Sequence, residues 1–166
     1  MPRFDIRPVT PPDVPAIAAL TREIWLAAYP GIISRAQIDF MLEQRYDHQR
    51  LLDDLEDPGK WLDQAFDGER RIGFAGCELC KGEYKLDKLY ILPQSQHQGA
   101  GGALVAHAAA RARELGYPCM ILAVNKRNEQ AIRAYRKYGF SVREATTTDI
   151  GNGFLMDDYI MERQIS

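Results

Sequence analysis

The chain has few cysteines, and their number is odd: Cys77, Cys80 and Cys119 cannot close into a full set of disulfides, which fits a reducing compartment. The pair in "CELC" offers two thiols, but a tetrahedral metal site needs four ligands. Only Cys119 and the scattered His48, His97 and His107 remain, so no metal is expected. On a strand, Cys77 and Cys80 also face opposite sides. Cys119 opens an apolar run with no histidine beside it, which argues against a thiol nucleophile. Long hydrophobic runs are missing too: nothing approaches the roughly 20 apolar residues of a membrane-spanning helix. "MPRFDIRPV" has no basic-then-apolar leader pattern, so a cytoplasmic protein with no membrane partner is expected. No excess of one charge is present. With 21 Lys and Arg against 23 Asp and Glu the net charge is -2, which gives no reason to expect nucleic acid as a partner. Repeats, linkers and low-complexity tracts are absent, and residues 1–166 read as one domain.

Alternating and helical periodicities are clearly present. "RFDIRPV" alternates Phe4 and Ile6 with polar residues as a short strand does, and Ile17, Leu20, Ile24 and Ala28 then recur at helical spacing behind a cluster of prolines. Ser34 is an N-cap for a second helix carrying Ile38, Met41 and Leu42, and an amphipathic turn or two covers 49–55. "KWLDQAF" and "RRIGFAGCELC" flank an Asp-Gly turn as a hairpin, and "EYKLDKLYIL" follows as a third strand. A helix over 102–115, closed by Gly116, leads into "PCMILAV", a continuous apolar run of the kind found in buried parallel strands. Asn128 caps a further helix that ends at Gly139, and 141–150 with 154–162 read as an antiparallel pair. The order is α+β, with antiparallel strands first and one βαβ unit in the second half.

The βαβ unit contains the most informative stretch, "QSQHQGAGGALV" at 94–105. A glycine-rich turn that opens a helix lets the backbone approach a ligand and offers unpaired N–H groups at the positive end of the helix dipole, a setting for phosphate. Spacing narrows the choice. No Lys-Ser or Lys-Thr follows the glycines, so this is no P-loop. After Gly99 and Gly101 the third position of a dinucleotide fingerprint is Leu104, so an NAD or ATP module is disfavoured.

Gln96-x-x-Gly99-x-Gly101 after "LYILP", followed by Asn128-x-x-Ala131-x-x-x-Tyr135-x-x-x-Gly139-Phe140, resembles the GNAT superfamily of acyl-CoA N-acyltransferases over essentially residues 3–163. The loop departs from the pattern at His97, where many members have glycine, and at Gln98, where many have Arg or Lys. The resemblance implies a mixed, largely antiparallel twisted sheet with helices on both faces and a central βαβ unit that binds acetyl-CoA. Its diphosphate would lie on N–H groups of the stretch Gln96, His97, Gln98, Gly99, Ala100, Gly101, Gly102 and Ala103, chiefly from 98 onward. The pantetheine arm would add like a strand beside Tyr90, Ile91 and Leu92, with Asn128 fixing it from the next helix. Asn128 is also a plain helix cap.

The implied chemistry is acetyl transfer to a primary amine, whether small molecule, polyamine or peptide amine, by direct attack in a ternary complex. A non-catalytic acyl-CoA-binding sensor is the alternative. The resemblance places the oxyanion near the N–H of Ile91 or Leu92 and Tyr135 near the sulfur as general acid. With ordinary ionisation near 10 for tyrosine and near 8.5 for a thiol, full proton transfer is uphill by about 2 kcal/mol, so hydrogen bonding to the departing sulfur serves equally. Without the second motif, Tyr135 is simply a core aromatic on an amphipathic helix, the part given to Tyr138. Asp87, four residues before Ile91, is the candidate base because alternation puts both on one face; pairing with Lys85 or Lys88 is the competing reading. Trp25 and Tyr29 are helix neighbours at acceptor-lining positions of the resembled family, or else core. Acidic early helices favour a cationic acceptor, and Lys126, Arg127, Arg133, Arg136 and Lys137 form either a solvated face or a 3′-phosphate contact. Oligomeric state stays open, a homodimer included.

Overall fold

The computed structural model describes residues 3–165; Met1, Pro2 and Ser166, included in the one-domain reading, lie outside the described residues. β1 (Phe4–Pro8) is followed by three helices, α1 (Val14–Ala28), α2 (Arg35–Tyr46) and α3 (His48–Glu56). A meander of β2 (Lys60–Asp67), β3 (Arg70–Cys80) and β4 (Glu83–Ile91) comes next. α4 (Ala100–Leu115), β5 (Cys119–Asn125), α5 (Glu129–Lys137), β6 (Ser141–Gly151) and β7 (Phe154–Gln164) complete the chain. The seven strands form one sheet in the order β1-β2-β3-β4-β5-β7-β6, antiparallel except between β4 and β5. This is the α+β arrangement expected.

Local chemistry explains most boundaries. The Ser34 side chain accepts from the N–H of Gln37 to start α2, and the Asp47 carboxylate accepts from Gln49 and Arg50 to start α3. Gly68 supplies the left-handed residue of the β2–β3 turn (φ 65°). One hydrophobic cluster, holding Leu104, Ala108 and Ala112 of α4 with Tyr84, Leu86 and Met120, packs one face of the sheet. A second, with Ile17, Trp25, Ile38, Met41 and Leu51 of the first three helices, packs the other through Phe74 and Leu62. β6 is an edge strand, exposed along almost all of its length, and its register against β7 slips at Val142/Glu144 and again at Asp149/Gly151.

β4 and β5 are the least regular pair. They match only at Tyr84↔Met120 and Lys85↔Ile121, after which the strands part. On its other edge β4 stays paired with β3, but a bulge intervenes: Cys77 faces Leu86 while Gly76 faces Lys88, leaving Asp87 as the extra residue. The bulge reverses the alternation. Leu89 and Ile91 pack with the α4 cluster, whereas Asp87 turns to α2, so the expected sharing of a face by Asp87 and Ile91 does not hold.

At the bulge Asp87 is locked among cations. Both carboxylate oxygens accept from Arg45 at 2.8 Å, Lys88 lies at 2.6 Å and Lys85 at 3.8 Å, and the side chain is only 7% exposed. Burial alone would raise its ionisation, but Lys88 and Arg45 outweigh that and hold the carboxyl well below the usual range. Because the folded-state value is depressed, the resulting stability is complete above about pH 4 and is lost as pH falls below that toward the folded value. Asp87→Asn leaves buried Lys88 and partly exposed Arg45 without their carboxylate and should lower the unfolding free energy at pH 7 by about 2–4 kcal/mol. In urea melts that difference should narrow steadily below pH 4; a variant as stable as wild type at pH 7 would show the cluster to be idle.

Candidate active site

Where β4 and β5 part, a cleft of 1330 Å³ opens through the sheet between the α4 N-terminus and the α1–α2 side. The antiparallel ladder dictates what β4 presents to it. Leu92 donates its N–H to the carbonyl of Ile72 at 2.8 Å, and Ile91 is opposite Gly73, so Ile91 is the residue whose N–H and C=O point away from β3. The Ile91 carbonyl does face outward, accepting from the Gln96 side chain at 3.3 Å. Leu89, two residues back, shares that orientation. Of the two amides expected at the reacting carbonyl, that of Leu92 is therefore spent, and its side chain is buried in the core away from the cleft.

The glycine loop delivers a bare helix end. His97 (φ 63°) and Gly99 (φ 97°) both adopt left-handed backbone, and the N-cap of α4 is Gly99, with no side chain to cap the first turn. His97 takes this conformation without glycine's freedom, at a cost of roughly 1–2 kcal/mol. The first helical bond runs from the Ala103 N–H to the Gly99 carbonyl at 3.0 Å. The Ala103 amide is thus used within the helix, while those of Ala100, Gly101 and Gly102 precede the first helical bond. A Cβ at Gly101 would lie 2.6 Å from the Tyr138 hydroxyl, so that glycine also admits the close approach of α5. Gln98 is exposed and engaged elsewhere, accepting from Arg3 at 2.7 Å and donating to Gln94 at 3.4 Å. Gln96 Oε1 accepts from Gln130 at 3.2 Å, tying the loop to α5.

Asn128 caps α5, accepting from the Ala131 N–H at 3.3 Å, and lines the cleft. Tyr135 lines the cleft one helical face along, its ring packed edge-on against Phe140 at 5.9 Å. Burial, with Tyr29 and Tyr138 nearby, pushes its phenol well above the usual range, so it stays protonated and keeps an O–H available to donate. Trp25 and Tyr29 both line the far end with rings 4.6 Å apart, and Trp25 is at the same time 2% exposed core. Tyr90 lies beside them, its hydroxyl 3.3 Å from that of Tyr46.

One feature escaped the sequence reading. Asp158 of β7 lines this end of the cleft, yet its only sequence signal is one acidic residue in an alternating strand. The basic residues after β5 divide: Arg127 donates to the carbonyls of Gly31 and Ile32 at 2.6 and 3.0 Å, and Lys126 pairs with Asp157 at 2.7 Å, while Arg133 and Lys137 reach the cleft. Among the described residues no group of three or more His, Cys, Asp or Glu could hold a metal ion, and no helix is long and apolar enough to cross a membrane.

These features have counterparts in known proteins. The chain is 27% identical to a spermidine N(1)-acetyltransferase of Thermoplasma acidophilum over 158 residues, covering 93% of this chain and 96% of the relative. It is 36% identical to a peptidyl-lysine N-acetyltransferase of Salmonella typhimurium over 83 residues, about half of each chain (50% and 51%). The crystal structure of the PaiA N-acetyltransferase from Thermoplasma acidophilum in complex with coenzyme A superposes with a TM-score of 0.84 at 25% identity, covering 97% of this chain and 98% of that one. The family model for acetyltransferases of the GNAT type matches residues 19–140, and the chain belongs to that acetyltransferase (GNAT) family.

Proposed function

We propose that this acetyltransferase moves an acetyl group from acetyl-CoA to a primary alkyl amine by direct attack in a ternary complex. The observation that carries the reading is the single cleft that links the uncapped α4 N-terminus, the outward Ile91 amide and Tyr135. The free amides of Ala100, Gly101 and Gly102 suit a diphosphate, which needs donors and the positive end of a helix dipole more than it needs lysine. The edge of β4 at Leu89 and Ile91 offers strand-like partners to the amides of a pantetheine arm. Ile91 N–H is then the donor for the developing oxyanion, and Tyr135 the donor to the departing sulfur. A relative named for spermidine and another for peptidyl-lysine support an alkyl amine as acceptor. Three free cysteines fit a cytoplasmic setting.

Excess acetyl-CoA should raise the melting temperature, with NAD and ATP as controls; at 100 times the dissociation constant the added stability is about 2.7 kcal/mol. A shift with NAD in place of acetyl-CoA would remove the reading. Tyr135→Phe should lower turnover about 10²-fold while leaving the acetyl-CoA melting shift intact, measured by thiol release. Unchanged turnover would dismiss Tyr135 as the donor.

A further inference from the structure

The Trp25–Tyr29 end of the cleft holds a buried carboxylate, that of Asp158, with no part in the transfer described above. Asp158 sits mid-strand in β7, opposite Asn125 of β5 and Thr146 of β6. It is 7% exposed, and its Oδ1 is buried with no hydrogen-bond partner among the described residues. Its neighbour Asp157 alternates to solvent, 59% exposed and paired with Lys126 and Thr147. Native proteins seldom leave a buried carboxylate oxygen unmatched, and one that faces a ligand cleft marks the place of an absent donor.

The surroundings say what kind of donor. Lys85 of β4 and Arg45 of α2 approach, but both are committed to Asp87, and Lys126 is committed to Asp157. The Tyr29 hydroxyl at the end of α1 feels the carboxylate as well. Burial, opposed by Lys85 and reinforced by Asp157, leaves Asp158 above the usual carboxylate range, hence more basic than a surface acid. The half-buried Tyr29 ring, packed on Trp25, lines the same cleft, and Trp25 Nε1 is a second buried polar atom without a partner among the described residues. A carboxylate oxygen and aromatic faces together suit a cation.

We propose that Asp158 is the acceptor-side base: it receives the amine as its ammonium ion, against the Trp25–Tyr29 pair, and removes the proton that blocks attack. The proposal deepens, and rests on, the acetyl-transfer reading. The proton passes from the ammonium nitrogen to the carboxylate, giving a neutral amine and a carboxylic acid. The nitrogen lone pair forms the bond to the acetyl carbon and the C–S bond breaks with its electron pair on sulfur. The second nitrogen proton reaches that sulfur through the Tyr135 hydroxyl, leaving amide and thiol, and Asp158 finally loses its proton to water. Asp87, saturated by Arg45 and Lys88, yields this role.

The test compares wild type with Asp158→Asn and, as control, Asp157→Asn, using spermidine and n-butylamine as acceptors and thiol release as readout. Wild-type kcat/KM for the amine should be flat between neutrality and the amine's own ionisation near pH 10. For Asp158→Asn it should be about 10²-fold lower at pH 7 and climb about tenfold per pH unit as neutral amine becomes available, with the acetyl-CoA melting shift unchanged. Asp157→Asn should match wild type. A pH-independent deficit, or no deficit, overturns the assignment to Asp158 and leaves the transfer reading standing. A wild-type enzyme that turns over neither amine overturns both. Should Asp158→Asn fail to fold, the wild-type profile decides: a tenfold rise per unit up to pH 10 means no internal base acts.

Discussion

Everything at this site depends on β4 and β5 pairing for only two residues before they separate. A strand inside a sheet must satisfy the hydrogen bonds of both edges, and β4 does so toward β3 but not, beyond Lys85, toward β5. The free edge is stabilised indirectly. α4 covers one face of the sheet and α1 with α2 the other, so the gap is held open by two hydrophobic clusters and not by contacts across it. The same parting directs the chain after β4 into the glycine loop, whose helix end is likewise short of partners. Backbone groups at both places are arranged before any ligand arrives, which is the economical way to bind a long, polar, flexible molecule.

Charge is distributed by the same geometry. The bulge at Asp87 places one carboxylate directly among Arg45, Lys88 and Lys85, whereas Asp158 feels Lys85 and Arg45 only through space. Two buried acids on neighbouring parts of the sheet thus shift in opposite directions, Asp87 held well below the ordinary carboxylate range and Asp158 raised by burial. Such divergence between nearby titratable groups is what acid–base chemistry at neutral pH requires.

The order of elements, the hairpin, the Ser34 and Asn128 caps and the glycine loop were legible because each rests on local rules: periodicity, turn chemistry, capping. The place of Tyr135 beside the cleft was legible through a spacing motif. What failed was register. Alternation along "YKLDKLYIL" assumes a regular ladder, and a bulge is a tertiary event that one extra residue imposes without changing composition. Likewise the partner of Leu92 N–H is known only once β3 is aligned. Asp158 could not stand out, since its character comes from burial and from the prior commitments of distant Lys85 and Arg45. Sequence shows which groups exist, while solvation and competition, which decide their chemistry, are properties of the packed whole.

The outer edge of the sheet raises a different matter. β6 is long, threonine-rich and mostly exposed, the type of edge strand that recruits other chains into ordered aggregates. Its two register slips break the row of outward backbone groups into short, misaligned runs, and Arg143, held by Glu83 and Glu162, adds ionic bulk at the first of them. Irregularity here works against recruitment at an edge: a second strand would have to reproduce both slips to pair along its full length.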